Sequence, residues 1–502
     1  MGKMNRRDFL KLAALISAGV SAPKALVNLG RVNSGALPNV IVIVFDAMSA
    51  RNLSVYGYPR KTTPNFERFA KRAFVYHSHA STGNYTIPGT ASLLTGMYPW
   101  THRAINHAGQ IASSLIERNI FNLLGKEYNR YGFGQNAWAD IFLNQFNADI
   151  DQHIPMRSFG AISPWTSGTT LNDANLGYQT FDRFLFSKSS PSGSLVFGLM
   201  EKLYGFHESN GLKSKDYPGG LPEVVTAQFY YRLDSLFDGL QSLCAEFQPP
   251  YFSYLHLNPP HEPYRPTREY SKHFMDDFMP PVKPAHPLVT SPDSEKRLNG
   301  GRLNYDRFIA NLDAEFGRLL DTFEKLGTLE NSYVILTSDH GDMFERGQRG
   351  HSTRLLHDPV VHVPLLISAP GKQNRTDIFA PTNSIDLVPT LLNLAGRKVP
   401  DWCEGNLLPG LGGRKDFDRN TFSMDAKQNS SFAPITKATI AMRKGKHKMI
   451  YYTGYEEKDS FELYDLENDL EEMNNLYAIG DSLSKSLAGE LLDKLQTVNQ
   501  GF

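Results

Sequence analysis

Residues 39–45 read NVIVIVF and run straight into Asp46. An unbroken run of β-branched and aromatic residues offers no polar face. As a strand it must be covered on both sides, as in a parallel sheet layered between helices. Ending such a strand on an aspartate tightens the constraint. A carboxylate beside a buried sheet is costly unless a cation or hydrogen bonds compensate it, and in open α/β sheets ligands bind beyond the C-terminal strand ends. Segments 251–257 (YFSYLHL), 333–337 (YVILT) and 365–368 (LLIS) read as further strands. Between them, Phe308, Leu312, Phe316, Leu319, Phe323 and Leu326 recur every three or four residues and Gly327 follows, the pattern of an amphipathic helix with a glycine stop. Strands alternating with helices predict an open α/β sheet with helices on both faces.

The strand ends carry the chemistry. Asp339 and His340 follow YVILT in the segment SDHGD, as Asp46 follows NVIVIVF. Together they offer hard carboxylate oxygens and one imidazole, a set suited to one divalent metal ion. Calcium, magnesium and manganese all accept such ligands, and zinc is compatible with the imidazole. A turn capped by aspartates is the plainer reading of SDHGD alone. His261 lies in the proline-bracketed turn NPPHEPY after the 251–257 strand, and His351 follows Gly350; histidines at such places are more often structural than catalytic. The stretch NYTIPGTASLLTGMYP (84–99) raises a sharper question. Proline is favoured at the first helical position, so Pro88 predicts a helix start with Thr86 just ahead, near the positive end of the dipole. Thr86 is then either a turn residue or a nucleophile held where an anion binds.

Composition excludes some functions. Lys+Arg and Asp+Glu balance at 52 each in 502 residues, so nothing suggests a nucleic-acid partner or an anionic membrane surface. Cys244 and Cys403 make no disulfide framework and no CxxC metal site, and are expected unpaired with one in the core. The N-terminus, MGKMNRRDFLKLAALISAGVSAPKA, sets Arg6 and Arg7 before an apolar run too short for a stable membrane span. It resembles a twin-arginine export signal, with a cleavage site at Ala22, which implies the export machinery as a partner and a periplasmic, secreted or cell-surface location. An ordinary amphipathic helix is the alternative. The expected organisation is a signal and linker over 1–36, a catalytic domain over 37–397 and a small antiparallel C-terminal subdomain over 398–502. Residues 150–225, rich in Ser, Gly and Pro, read as an insertion. In the C-terminal part, ATIAMRKGKHKMIYYTG predicts a hairpin about Gly445, and FELYDLENDLEEMNNLY a strand followed by an acidic helix start.

Taken in order, PNVIVIVFDAM with YGYPRKTTPNFERFA, TIPGTASLLTGMYPWTH, YLHLNPPHEPY, NSYVILTSDHGD, GH with HVPLLISAPG, IDLVPTLLNLAG, ATIAMRKGKHKMIYY and ELYDLENDLEEMNNL form an ordered set. Over about residues 38–476 this set resembles the sulfatase branch of the alkaline phosphatase superfamily. The resemblance implies a large mixed, mostly parallel sheet flanked by helices, with a small antiparallel α+β C-terminal subdomain. It implies Asp46, Asp339 and His340 as metal ligands, and Thr86 as a nucleophile whose hydroxyl oxygen completes the coordination. His261 and His351 would contact the oxyanion or leaving group, and Asn136 and Arg354 the substrate. For Asn136 a turn-stabilising role, and for Arg354 a surface position, are the alternatives.

The departures from the family pattern matter as much. Sulfatases carry CxPSR or SxPSR, whose Cys or Ser is oxidised to formylglycine; this chain has TIPGT at 86–90, with neither that oxidation nor the arginine. Ala47 stands where a second aspartate is usual, and Gly134, Gln135 and Asn136 replace a GKWH-like segment. Formylglycine releases sulfate by collapsing to an aldehyde. A sulfated threonine must instead be displaced at sulfur, whereas a phosphorylated threonine is readily attacked at phosphorus, so Thr86 favours phosphoesters. The expectation is an exported, metal-dependent hydrolase of a small-molecule, glycan or lipid ester of sulfate or phosphate. A phosphoglycerol- or phosphoethanolamine-type transferase and a non-catalytic binding protein on the same fold are the alternatives. Transferases of that type usually carry several membrane spans ahead of the catalytic domain.

Overall fold

The computed structural model describes residues 37–162 and 215–502, with 194–196, 198–200 and 203 between them. The twin-arginine segment and most of the expected 150–225 insertion lie outside the described residues. The main sheet has eight strands, in chain order β1 (Asn39–Phe45), β2 (Phe74–Tyr76), β3 (Asn129–Gly134), β4 (Gln152–Ile154), β5 (Tyr251–Leu257), β6 (Ser332–Thr337), β7 (Leu365–Ser368) and β8 (Thr376–Ile378). Their order in space is β8-β2-β7-β6-β1-β5-β3-β4. Strand β1 pairs in parallel with both β5 and β6, and β5, β3 and β4 continue in parallel. Strand β7 runs against its neighbours β6 and β2, which makes the sheet mixed but mostly parallel. Every residue of β1 and β5 is buried, as a strand with no polar face requires.

Five helices matter for the site and the core: α1 (Thr86–Thr95), α2 (Ala137–Gln145), α3 (Leu233–Glu246), α4 (Glu295–Lys325) and α5 (Ser482–Asn499). The longest, α4, begins earlier than the apolar repeat suggests. Phe308, Leu312, Phe316, Leu319 and Phe323 are all buried, while Leu326 sits at its C-cap, 50% exposed, before Gly327 turns the chain at φ +68°. Phe316 packs edge-on against Phe66, with centroids 4.8 Å apart, and Phe66 lies 5.4 Å from Phe45 of β1. Helix α4 is thereby seated on the central strand. Cys244 is buried in α3, Cys403 is half-buried, and both are free.

The C-terminal residues form a second, antiparallel sheet of β9 (Asn420–Asp425), β10 (Ala438–Lys444), β11 (His447–Thr453) and β12 (Ser460–Asp465), paired in that order. The expected hairpin closes at Gly445, φ +57°. The expected acidic helix after β12 does not form. Asp465 accepts from the backbone N of Glu467 at 3.0 Å, and Asp469 from those of Met473 and Asn474 at 3.0 and 2.8 Å. Aspartate side chains that bond nearby backbone N–H groups compete with helix and hold turns instead. Helix α5 starts later, where Asp481 caps the N of Ser484 at 2.9 Å. Strand β9 docks on the main body through Met424 N to Thr82 O at 2.8 Å and Ser423 Oγ to Ser81 O at 2.5 Å. Among the described residues no helix is long and apolar enough to cross a membrane.

Candidate active site

The register of the main sheet assembles the site. Val44 of β1 lies opposite His256 of β5 and Thr337 of β6, so Asp46, His256 and Asp339 reach one edge. Two bonds stitch the strand ends: Asp46 N donates to Leu257 O at 2.9 Å, and Ser338 Oγ to Phe45 O at 2.6 Å. Asp339 Oδ1 accepts from His340 N at 3.0 Å and Ala47 N at 3.4 Å. Ala47 sits at φ +64°, a left-handed conformation that costs an L-residue about 1 kcal/mol. Thr86 arrives from the side. Helix α1 starts at Thr86 itself, two residues before the expected start at Pro88; a proline in the first turn removes only an N–H that has no helical partner. A Cβ on Gly89 would lie 2.2 Å from Asp339 O, so the glycine is what lets the first turn of α1 press against the end of β6.

Five buried side chains meet there. His340 Nε2 lies 3.3 Å from Asp46 Oδ1 and 3.7 Å from Asp339 Oδ2. His256 Nε2 lies 3.2 Å from Asp46 Oδ2 and 3.7 Å from Asp339 Oδ2. Thr86 Oγ1 stands 3.5 Å from His340 Nε2. His340 Nδ1 is 3.0 Å from Gly341 O, which can only accept, so Nδ1 carries the proton and a neutral ring offers the Nε2 lone pair. Asp46 Oδ1 and Asp339 Oδ2 are buried and complete no hydrogen bond. Each such oxygen costs on the order of 1–3 kcal/mol.

The electrostatics repeat the imbalance. Burial pushes the Asp46 carboxyl up, but the charge of His261 and the close imidazoles of His256 and His340 outweigh it and hold it well below the usual range. Burial and then the negative charge of Asp46 push Asp339 the other way. Burial opposes the His340 imidazolium, yet Asp339 and Asp46 raise its pKa to about 9. Asp46, His256 and Asp339 present ligand atoms within 4.8 Å of one another. Two unpartnered carboxylate oxygens and two imidazole nitrogens about one point fit a divalent cation, which would satisfy both oxygens at once.

His256 is absent from the residues singled out in the sequence. Its signal was present, an imidazole one position before the end of a strand buried on both faces. The other expected residues fall in three places. His351 and His261 lie successively outward from the cluster, His351 tilted against His340 with ring centroids 4.5 Å apart and His261 edge-on to His351 at 4.7 Å. His351 Nδ1 lies 3.1 Å from Asp342 Oδ1, and Tyr264 donates its hydroxyl to Asp342 Oδ2. Burial and the neighbouring His340 move the His351 pKa down. Asn136 both caps α2, accepting from Trp138 N at 2.9 Å, and donates Nδ2 to Asp46 Oδ2 at 2.6 Å. Arg354 is not brought to the cluster. It stacks on Tyr455, 5.0 Å from the ring centre.

A mostly parallel sheet whose C-terminal edge gathers acids and imidazoles around one point, flanked by a helix N-terminus, defines an alkaline-phosphatase-like α/β protein. The chain belongs to the Sulfatase family, whose family model matches residues 38–397. A second model, N-sulphoglucosamine sulphohydrolase, C-terminal, matches residues 347–501. Choline-sulfatase of Rhizobium meliloti (strain 1021) is 25% identical over 474 residues, covering 88% of this chain and 82% of the relative. Arylsulfatase of Clostridium perfringens (strain 13 / Type A) is 23% identical over 481 residues, covering 88% and 90%. The crystal structure of the phosphonate monoester hydrolase of Agrobacterium radiobacter superposes with a TM-score of 0.64 at 20% identity, over 92% of this chain and 95% of that one. At that identity the likeness is one of fold.

Proposed function

We propose that the chain is an exported, metal-dependent ester hydrolase that cleaves a sulfate or phosphate ester through a covalent intermediate on Thr86, phosphate esters being favoured. The observation that carries this reading is Thr86 Oγ1, 3.5 Å from His340 Nε2 at the first turn of α1. Family membership, and relatives named choline-sulfatase and arylsulfatase, support ester hydrolysis. Arg6 and Arg7 ahead of a short apolar run support twin-arginine export.

Asp46, Asp339, His340 and His256 would hold the cation, which supplies Lewis acidity and charge neutralisation at the transferring group. The N–H groups of Thr86 and Ile87, unpartnered within the helix, add a fixed positive dipole beside the incoming anion. Thr86 Oγ1 attacks phosphorus or sulfur; its bond to that atom forms as the bond to the leaving alcohol oxygen breaks. Two proton transfers accompany the step, and two imidazoles stand next to the cluster. His351, steadied by Asp342, takes the hydroxyl proton of Thr86, and His261 protonates the leaving oxygen. In the second displacement water loses its proton to His261, attacks the same atom, and the Thr86 oxygen departs with the proton from His351.

The test is to offer the purified full chain aryl sulfate, aryl phosphate and aryl phosphate diesters with calcium, magnesium, manganese or zinc. Acid quenching during turnover is expected to trap a sulfo or phosphoryl group on the peptide containing Thr86. Turnover that survives Thr86→Ala would contradict the reading.

A further inference from the structure

Thr86 and His351 come from loops far apart in the chain, and a proton passed between them needs their separation held. Two links set it. From the segment that carries Thr86, Asn84 O accepts from Ser352 N at 2.9 Å and Asn84 Nδ2 donates to Thr353 O at 2.6 Å. Asn84 is fully buried, and its Oδ1 completes no hydrogen bond among the described residues. An apolar side chain of the same size would avoid that cost, so the amide is there for its donor. From the C-terminal sheet, Lys427, on the loop after β9, donates to Ser352 O at 2.5 Å and lies 3.4 Å from Ser352 Oγ and from Thr353 O. Thr439 of β10 donates its hydroxyl to Arg354 O at 2.6 Å.

The same stretch of the C-terminal sheet holds the other loop. Ser423 and Met424 of β9 bond Ser81 O and Thr82 O, a few residues ahead of Thr86. Residues 423–427 therefore grip the segment before Thr86 and the segment after His351 together. Between these grips Ser352 sits at φ +56°, a left-handed conformation that an L-residue keeps only where its surroundings enforce it. We infer that Asn84 and Lys427 are positioning residues, which fix His351 against Thr86 without touching the substrate, so that the C-terminal sheet is part of the catalytic framework. This rests on the ester-hydrolase reading, in which His351 takes the Thr86 proton and returns it. A misplacement of about 1 Å at such a contact costs on the order of 10²-fold in rate. His261 is held by its own turn instead, through N to Asn258 O at 2.9 Å and Nδ1 to Glu262 O at 2.7 Å.

Two variants of the full chain test this, Asn84→Leu, close to the amide in shape but without its donor, and Lys427→Met, which keeps the bulk of the side chain without its charge. Per folded molecule, kcat on an aryl ester is expected to fall about 10- to 100-fold in each, with KM within about twofold. The loss should be the same for good and poor leaving groups, because His261 serves the leaving oxygen. The double variant should lose little more than the worse single one, since both act through one loop. Hydrogen exchange over residues 351–355 should quicken in both variants, a readout that needs no turnover. An unchanged kcat in either variant, a loss carried by KM, losses that multiply in the double variant, or exchange that stays at the wild-type rate would overturn the inference and leave the Thr86 chemistry standing. Turnover that survives Thr86→Ala would sink that chemistry instead, and the exchange rates would still decide whether Asn84 and Lys427 hold the loop.

Discussion

Two clusters of buried charge can be compared directly. Between the main body and the C-terminal sheet, Lys448 Nζ lies 2.8 Å from Asp358 Oδ1 and 2.7 Å from Glu472 Oε1, and Glu472 Oε2 accepts from Asp358 N at 2.8 Å. Neither acid leaves a buried oxygen without a partner. Burial alone would push Asp358 up, but Lys448 holds it far below the usual range. At the main sheet edge two acids face each other and two imidazoles, their pKa values are driven apart, and an oxygen of each is unpartnered. The first cluster is balanced by its own members and acts as a staple. The second leaves one buried oxygen on each acid without a hydrogen-bond partner from the chain. The difference separates structural from functional buried charge without reference to any relative.

The largest expected effect breaks the incomplete cluster. Thr86→Ala and Asp339→Asn should each cut turnover by about 10³-fold or more, read as kcat/KM on whichever aryl ester is cleaved. Asp339→Asn should nevertheless raise the melting temperature in chelator, since it removes a carboxylate whose ionisation burial and Asp46 oppose. Lys448→Met should do the reverse. Leaving Asp358 and Glu472 buried without their cation is expected to cost about 3–5 kcal/mol in denaturant unfolding, with turnover per folded molecule kept.

The pH dependence separates the two further. Asp358 has a depressed pKa in the folded state, so its contribution is present above the unfolded carboxylate pKa of about 3.9 and is lost as pH falls below it. Asp339 has a raised one, so its contribution is present below about pH 3.9 and is lost as pH rises through its folded value. In chelator, the melting-temperature gap between Asp339→Asn and wild type should therefore widen from pH 4 towards neutrality. A gap that stays constant would count against the like-charge argument.

Smaller effects test the supports. Asn136→Ala should lose about 1 kcal/mol of capping and roughly 10- to 100-fold of activity, because one side chain caps α2 and orients Asp46. Ala47→Gly, which relieves a residue at φ +64°, should gain at most about 1 kcal/mol in unfolding.

Much of this was legible in the sequence, for physical reasons that also mark where reading stopped. The runs at 39–45, 251–257 and 333–337 are mostly apolar on both faces and read as central strands, so Asp46 and Asp339, which follow the first and the third, stood out. His256 did not, because a strand buried on both faces has no alternation against which an inward-pointing residue shows. The start of α1 was displaced by two residues because Pro88 is tolerated throughout the first turn and not only at its first position. The segment after β12 has helical composition, yet local side-chain bonds from Asp465 and Asp469 decide it. Arg354 follows His351 by three residues, but its side chain goes to Tyr455; that depends on the docking of the C-terminal sheet, which no local pattern encodes.

Metal analysis after exhaustive dialysis tests the incomplete cluster most directly. Wild-type chain incubated with calcium, magnesium, manganese and zinc in turn should retain a stoichiometric divalent ion from at least one of them, and Asp339→Asn should retain none. A wild-type chain that emerges metal-free from every incubation, or an Asp339→Asn chain that holds the ion as tightly, would contradict the claim that these acids are built around a cation.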